Sequence, residues 1–191
     1  MRPGNLEALA SPYDPGRIEA ARYAFWEQHG VFTPKALGPE KGTGAKAPFV
    51  IAIPPPNVTG SLTMGHVLGE SVRDLIIRWA RMEGRETLYI PGMDHAGIAT
   101  QNVVEKKLRA EGRSRHDLGR AAFLKEVWDW KEQYGGLIFK QERRLGTTPD
   151  WSRERFTLDE GYSNAVQHTF IKLHEEGLIY RGRYIVNWCP R

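Results

Sequence analysis

The chain has 191 residues, of which 40% are hydrophobic and 26% charged, and this composition is typical of a globular protein and excludes the disordered and fibrous classes. No apolar run approaches the roughly 18 to 20 residues that span a bilayer, the first residues lack the apolar segment of a signal peptide, and the single cysteine, Cys189, excludes an internal disulfide framework. These features predict a cytoplasmic protein without a membrane partner, and the net charge of +4 is compatible with a polyanionic partner without requiring one.

The first 46 residues are predicted to form a leader, one helix and a loop. Asp14 and Pro15 are typical of a helix start. The spacing of the apolar residues predicts that this helix buries one face, formed by Ile18, Ala21, Ala24 and Phe25. Trp26 and Phe32 are expected to pack as well, and the Gly-, Pro- and Lys-rich stretch 34–48 predicts a surface loop.

A strand, a helix and a second strand are predicted between residues 49 and 90. Residues 49–53 are almost wholly apolar, as in a strand buried on both faces of a parallel sheet, and Pro54 ends the run. The helix that follows is predicted to bury an apolar stripe of Leu68, Val72, Leu75, Ile76 and Trp79. Its exposed face is predicted to carry Glu70, Arg73, Asp74 and Arg78. Residues 87–90 supply the second strand, so this order predicts a right-handed parallel βαβ unit in an α/β fold.

The middle of the chain is predicted to be helical. One helix is expected over residues 98–111. A second and longer helix is expected to begin at a capping box of Ser114 and Asp117 and to run toward residue 145. The glycine pair at 135–136 is predicted to kink or divide it, because glycine is a poor helix former.

The last part of the chain carries one more helix and one more strand. Residues 157–160 resemble a capping box, and Gly177 is well suited to end the helix that this box begins. Residues 184–186 are predicted to form a strand. Because a parallel sheet that ends on a new strand needs further elements, this pattern predicts an interrupted domain.

The most informative segment is 54–66, a turn between the end of a buried strand and the start of a helix. Ligands bind at this edge of open α/β sheets, and a helix N-terminus offers unpaired N–H groups and a positive dipole end that suit phosphate. Gly60 and Gly65 would let a ligand approach the backbone, and His66 could donate to phosphate oxygens. The alternative is an ordinary turn with a surface histidine. The spacing fits neither a Walker A loop nor G-x-G-x-x-G.

Four segments, in chain order, resemble the class I aminoacyl-tRNA synthetases in the form that they take in the valine enzymes. They are Pro54-Pro-Pro-Asn-Val-Thr-Gly-x-Leu-x-Met-Gly-His66, Pro91-Gly-Met-Asp-His-Ala-Gly-Ile-Ala-Thr-Gln101, Asp150-Trp-Ser-Arg-Glu-x-Phe-Thr-x-Asp159 and Val186-Asn-Trp-Cys-Pro-Arg191. The resemblance runs from about Tyr13 to the last residue. It implies that residues 47–191 form the first half of a Rossmann-like parallel-sheet catalytic domain, truncated where the family inserts its editing domain.

The resemblance implies an amino-acid site. Pro54, Pro55 and Asn57 would lie against the amino acid and the adenylate, and Asp94 would hold the α-ammonium group of valine. A carboxylate just after a strand end can pair with an ammonium group in a partly dry site, so this role also makes physical sense. Without the resemblance, Asp94 is equally typical of a helix N-cap. For His95 a supporting role beside the site is as well founded as a direct one.

The resemblance also implies an ATP site, formed by Asn57, Thr63, Gly65 and His66. Gly65 and His66 would contact ATP, and His66 would stabilise charge on the phosphates as pyrophosphate leaves. Most members carry histidine where this chain has Thr63. Threonine keeps a hydrogen-bond donor but carries no positive charge. We therefore expect Thr63 to donate its hydroxyl to a phosphate, with some loss of transition-state stabilisation.

The activity that the resemblance implies is that of a valine–tRNA ligase. Such an enzyme converts L-valine and ATP to valyl-adenylate with the help of Mg²⁺ and transfers the valyl group to tRNA(Val); a monomer is expected. The family's Lys-Met-Ser-Lys-Ser loop does not occur in this sequence, so these 191 residues alone are predicted to charge tRNA poorly. Two alternatives stay open: a non-catalytic synthetase-like module that binds nucleotide or tRNA, and a small nucleotidyltransferase outside translation.

Two further features bear on nucleic acid and metal. A mixture of aromatic and basic residues suits either a nucleic-acid groove or, as we predict, core tryptophans beside a charged helix: Trp128, Trp130, Lys131, Arg143, Arg144 and Arg153. Cys189 could open a Cys-x-x-Cys zinc motif only with a second cysteine, so no metal site is predicted in this chain.

Overall fold

A computed structural model of the chain describes residues 12–35 and 46–189. The elements are α1 (Pro15–Gln28), β1 (Phe49–Ala52), α2 (Met64–Met82), β2 (Thr87–Ile90), β3 (Gly92–Met93), α3 (Gly97–Ala110), α4 (Arg115–Leu145), a 3-10 turn (Trp151–Arg153), β4 (Arg155–Phe156) and α5 (Glu160–Glu175). The predicted leader, up to residue 11, and residues 36–45 of the predicted surface loop lie outside the described residues.

The predicted βαβ unit is present. β1 and β2 pair in parallel, with Phe49 opposite Thr87 and Ala52 opposite Ile90, and α2 is the crossover. The prediction that β1 is buried on both faces is wrong, because burial alternates along it and Val50 is 52% exposed. In the part of the chain that the structure describes, β1 pairs with β2 alone. Phe49 and Ile51, on its other face, pack on a buried cluster that includes Ile77 of α2.

A second parallel pair extends this layer. β3 and β4 align Gly92 with Arg155 and Met93 with Phe156. A Cβ at Gly92 would lie 3.0 Å from the carbonyl oxygen of Arg155, so the close approach of β3 and β4 depends on glycine at position 92. The architecture is therefore α/β, with short parallel strands joined and covered by helices.

The face of α2 that packs on the sheet is the opposite of the predicted one. Its buried residues are Glu70, Asp74, Ile77 and Ala80. The predicted apolar stripe lies outside, where Leu68 and Leu75 are each 67% exposed. Buried carboxylates are tolerated here because they have partners: Asp74 accepts hydrogen bonds from the N–H and the hydroxyl of Thr148, and Glu70 accepts one from the hydroxyl of Tyr89.

Helix α4 begins as predicted but bends elsewhere. The Ser114 hydroxyl accepts from the N–H of Asp117 and the Asp117 carboxylate accepts from the N–H of Ser114, which confirms the capping box. The predicted break at 135–136 is wrong, since the non-helical residue is Gly119, with φ 73° and ψ 171°. Gly135 continues the helix, and a Cβ there would lie 3.1 Å from the end of the Met93 side chain. Glycine at 135 thus lets the helix pack closely on β3.

The predictions for the last helix and strand are partly right. Helix α5 is capped by Asp159, which accepts from the N–H of Tyr162, and not by the predicted Thr157. Gly177 follows its end with φ 71°, as predicted. The predicted strand 184–186 is wrong: Ile185 is 95% exposed and no described strand pairs with it. A strand without a partner leaves its backbone groups to water, so nothing holds this segment extended in a sheet.

Helix α1 begins at Pro15 with Asp14 as its cap, as predicted, but buries a different face. The buried residue is Tyr23, whose hydroxyl donates to the carbonyl of Thr147 at 2.7 Å and accepts from Trp151 at 2.8 Å. The predicted Ile18 and Phe25 are each 46% exposed. The expected packing of Trp26 and Phe32 is confirmed, since their rings meet edge to face and both touch the ring of Tyr23. Hydrogen bonding to Tyr23 thus decides which face turns inward.

Candidate active site

Asp94 lies directly after β3, and its main chain joins two of the sequence motifs. Its N–H donates to the carbonyl of Pro56 at 2.9 Å, and its carbonyl accepts from the N–H of Val58 at 3.0 Å. These bonds form a parallel bridge between Asn57 and Asp94. The exposed Pro54, Pro55 and Asn57 and the half-buried Asp94 are therefore neighbours at one edge of the layer.

The Asp94 side chain is held by a residue that the sequence assigned to a helix cap and not to the site. The hydroxyl of Thr157 donates to Oδ1 of Asp94 at 2.9 Å. The same hydroxyl lies 2.9 Å from the main-chain nitrogen of His95 and 2.6 Å from its Nδ1. Among the described residues, Oδ2 of Asp94 accepts no hydrogen bond, so one carboxylate oxygen is fixed and the other is open to a ligand.

The alternative role of Asp94 as a helix cap is wrong. Helix α3 begins at Gly97, and the residue before it is Ala96, which has a left-handed backbone with φ 50°. The first turn is held instead by the hydroxyl of Thr100, which donates to the carbonyl of His95 at 2.7 Å. Asp94 therefore does not cap α3.

The residues of the predicted phosphate site lie at the start of α2. Thr63 is the N-cap, and its N–H donates to Nδ1 of His66 at 3.0 Å, while its hydroxyl lies 3.0 Å from the same nitrogen. Thr63, Met64 and Gly65 are exposed and His66 is half-buried. The first turn of this 19-residue helix therefore offers main-chain N–H groups and the positive dipole end at an accessible surface.

Side chains of α4 hold the loop between β1 and α2 by hydrogen bonds. The N–H of Leu62 donates to Oε1 of Gln141 at 2.9 Å, and the indole of Trp130 donates to the carbonyl of Val58 at 3.0 Å. The Val58 side chain is buried in a cluster with Met93, Ile138 and Phe139. No sequence signal pointed to Gln141, because a glutamine within a helix is most often a surface residue.

The aromatic and basic residues of α4 make contacts within the chain. Lys131 lies 4.9 Å from the ring centre of Phe156, and Trp128 meets the same ring edge to face. Arg143 lies 4.0 Å from the Trp151 ring and pairs with Glu27 at 2.9 Å. These contacts favour a structural role for the set over a nucleic-acid groove, but the prediction of core tryptophans is wrong for Trp128, which is 46% exposed.

A buried glutamate of α4, Glu142, is close enough to the buried Glu70 of α2 for the two charges to interact. The Glu142 side chain is buried, and neither of its carboxylate oxygens has a partner among the described residues. Burial, and after it the carboxylate of Glu70, raise the pKa of Glu142 to about 8. Burial and the hydrogen bond to Glu70 also raise the pKa of Tyr89. Glu142 is therefore largely protonated at neutral pH.

A cavity in the described part of the chain lies away from the predicted site. It has a volume of about 720 Å³ and lies between α1, α2 and the end of α4. No predicted site residue lines it. Within ranges 12–35 and 46–189, no three metal-ligating side chains come together, and no helix has the length and hydropathy of a membrane span.

Residues 21–191 match the family of class I tRNA synthetases described for I, L, M and V. The chain belongs to this family. It is similar to the valine–tRNA ligase of Syntrophotalea carbinolica, with 55% identity over 183 residues, 96% of this chain and 20% of that protein. The valine–tRNA ligase of Acinetobacter baylyi is 56% identical over 98% of this chain and 18% of its own length. That of Chlorobaculum tepidum is 54% identical over 100% of this chain and 21% of its own length.

The class I synthetase chain thus spans about a fifth of the length of these curated relatives. A solved structure has the same fold: the LeuRS of Agrobacterium radiobacter, in a ternary complex with tRNA and LeuAMS, superposes with a TM-score of 0.69. The match covers 88% of this chain and 19% of that chain at 24% sequence identity. At this identity, the likeness shows the class I synthetase fold alone.

Proposed function

We propose that the protein is a valine–tRNA ligase, which activates L-valine with ATP and transfers it to tRNA(Val). The parallel bridge between Asn57 and Asp94 is the observation that carries this proposal. It makes neighbours of two segments that both have the sequence of the valine enzymes. The similarity to curated valine–tRNA ligases, at 54 to 56% identity, supports the same substrate.

The proposed amino-acid site consists of Pro54, Pro55, Asn57 and Asp94. The open oxygen of the Asp94 carboxylate pairs with the α-ammonium group of valine, and this charge-assisted bond orients the substrate. The exposed residues Pro54, Pro55 and Asn57 lie against the rest of the amino acid and the adenylate. Binding in one orientation converts a bimolecular reaction into a positioned one, which is the main source of acceleration in this proposal.

The proposed ATP site is the start of α2, with Asn57, Thr63, Gly65 and His66. A carboxylate oxygen of valine attacks the α-phosphorus of ATP, the bond to the β-phosphate oxygen breaks, and pyrophosphate leaves. His66 and the N–H groups of the first turn donate to the phosphate oxygens on which negative charge accumulates. In the second step, a ribose hydroxyl at the end of the tRNA attacks the valyl carbonyl carbon and AMP leaves.

The proposed domain boundary follows the same family pattern. Residues 1–46 form a leader, helix and loop, and residues 47–191 form the first half of the Rossmann-like catalytic domain. We propose that the whole protein acts as a monomer in the cytoplasm. Mg²⁺ would accompany the phosphates of ATP.

The test is the valine-dependent exchange of labelled pyrophosphate into ATP by the whole protein. Asp94→Asn keeps the shape of the side chain and removes its charge, and we expect it to lower kcat/KM for valine by roughly 30-fold or more. Asp129→Asn makes the same change on the exposed face of α4 and serves as the matched control. Binding of valine and ATP without exchange would favour the non-catalytic synthetase-like module instead.

A further inference from the structure

The third sequence motif, residues 150–159, has so far no part in the proposed chemistry. Its Thr157 is half-buried and is not the helix cap that the sequence predicts. Its hydroxyl contacts Asp94 and His95, in the segment proposed to bind the amino acid. We propose that Thr157 is a positioning residue that aims the Asp94 carboxylate at the ammonium group of the substrate. This inference rests on the proposed function of Asp94.

The backbone brings Thr157 to this place. β4 runs parallel to β3, and the register of Gly92 with Arg155 and Met93 with Phe156 continues one step further, because the N–H of Thr157 donates to the carbonyl of Met93 at 3.1 Å. Parallel main-chain pairing therefore places Thr157 on one side of Asp94 and Asn57 on the other. Asp94 lies between the first and third motifs, and both contact it.

The hydrogen bonds at Thr157 have one consistent arrangement of protons. A hydroxyl donates one hydrogen and accepts up to two. The ionised Asp94 carboxylate can only accept, so the hydroxyl hydrogen points to Oδ1 at 2.9 Å. The main-chain N–H of His95 already donates to the Thr157 oxygen at 2.9 Å. The contact of 2.6 Å between that oxygen and Nδ1 of His95 then requires the hydrogen to be on Nδ1.

This arrangement explains why a hydroxyl is needed at position 157. The Thr157 hydroxyl links the carboxylate and the imidazole, and without it Nδ1 of His95, which lies 3.4 Å from Oδ1, is the nearest donor to Asp94. The carboxylate would then rotate toward His95, and the oxygen that is now open would no longer be held in its present direction. A valine side chain has nearly the shape of threonine but cannot hold the carboxylate, whereas serine can.

The experiment measures steady-state pyrophosphate exchange by the whole protein, four single variants and one double variant. Thr157→Val removes the hydroxyl, Thr157→Ser keeps it, and Thr169→Val makes the same change on the exposed face of α5, where the hydroxyl donates to the carbonyl of Ala165. Asp94→Asn is studied alone and combined with Thr157→Val. The KM for valine, the KM for ATP and kcat are determined separately, because loss of structure would change all three.

We expect Thr157→Val to raise the KM for valine about tenfold, with the KM for ATP changed less than about twofold, and Thr157→Ser to behave like the parent. In the Asp94→Asn background, Thr157→Val should have little further effect, because the two residues act through one carboxylate. An unchanged KM for valine in Thr157→Val, beside a large loss in Asp94→Asn, would overturn the positioning role and leave the proposed function intact.

Two other outcomes would also decide against the inference. Fully additive effects in the double variant would mean that the hydroxyl acts on something other than Asp94. No effect of Asp94→Asn itself would remove the proposed ammonium site, and the positioning role with it. A poorly folded Thr157→Val protein would still be informative, since Thr157→Ser with an intact ATP KM and a raised valine KM would contradict the need for the hydroxyl alone.

Discussion

The main-chain N–H of Thr63 donates to Nδ1 of His66 over 3.0 Å, so the cap of α2 is closed by the same imidazole that faces the proposed phosphate site. A nitrogen that accepts this bond carries no hydrogen, and the remaining ring hydrogen is therefore on Nε2. His66 thus offers Nε2–H to a ligand as a neutral donor. Its orientation is fixed before ATP binds, which is the arrangement that favours stabilisation of developing charge.

The side chain at position 63 is expected to control the adenylation rate and also part of the cap, because the Thr63 hydroxyl lies 3.0 Å from the His66 Nδ1 that accepts from the main-chain N–H of Thr63. Thr63→His should raise kcat for pyrophosphate exchange several-fold by adding a cationic donor, and Thr63→Val should lower it. Ser61→His adds the same ring at an exposed position of the loop and controls for non-specific charge. A slower Thr63→His enzyme would show that threonine is not a simple loss at this position.

The two duties of His66 can be separated by substitution. His66→Gln keeps an acceptor for the N–H of Thr63, as glutamine does in a capping box, and keeps a donor for phosphate. His66→Leu removes both and should lower stability by about 1 kcal/mol and kcat by roughly a hundredfold. Thermal unfolding and pyrophosphate exchange, measured side by side, test this. Equal kcat for the leucine variant and the parent would exclude His66 from the chemistry.

The sequence predicted those parts of the fold that depend on local pattern. The βαβ unit, the capping box at Ser114 and the glycine end at Gly177 follow from nearest-neighbour chemistry and are present. The buried face of α2 could not be predicted, because Asp74 and Glu70 are buried only through Thr148 and Tyr89, which lie far away in sequence. Burial scales assign such carboxylates to the surface.

In the candidate site, too, local sequence patterns predicted some residues, and contacts between distant parts of the chain determined others. Asp94 and His66 were found through motifs, whereas Thr157 was assigned to a helix cap that Asp159 forms instead. The link between Thr157 and Asp94 depends on the register of β4 with β3, two strands of two residues each. Strands this short carry no period that a sequence pattern could reveal.

Glu142 is expected to make the stability of the protein depend on pH. Its pKa is raised from 4.5 to about 8 in the folded state. The contribution of Glu142 to the free energy of unfolding is therefore fully present below pH 4.5 and is lost as the pH rises through about 8. The free energy of unfolding should therefore fall by up to about 1.4 kcal/mol per pH unit in this window. The groups around Glu142 are Glu70, Arg143, Glu154 and Arg73.

Glu142→Gln should flatten this pH dependence, because an amide of the same shape does not titrate. Denaturant unfolding between pH 5 and pH 8 measures the slope, and Glu132→Gln, on the exposed side of α4, is the matched control. If the parent and the Glu142→Gln variant have the same slope, Glu142 does not hold a proton in the folded protein.

Gly92 is expected to be essential for the approach of β3 to β4. In Gly92→Ala, the new methyl group would lie 3.0 Å from the carbonyl oxygen of Arg155, a main-chain atom that cannot move away easily. We expect a loss of about 1–3 kcal/mol and a raised KM for valine, since Asp94 and Thr157 follow in the same register. Gly136→Ala, which meets no atom within 4 Å in α4, should instead be stabilising by up to about 1 kcal/mol. Equal stability of the two variants would contradict this.

The most direct test of the account is a calorimetric titration of the protein with a non-hydrolysable valyl-adenylate analogue, with the isoleucyl analogue as control. The two ligands share the ammonium and phosphate groups and differ by one methylene group. Binding of the valyl compound at least about tenfold tighter than the isoleucyl compound, and lost in Asp94→Asn, is the predicted result. Equal affinity for both compounds, or affinity unchanged by Asp94→Asn, would contradict a valine site built on Asn57 and Asp94.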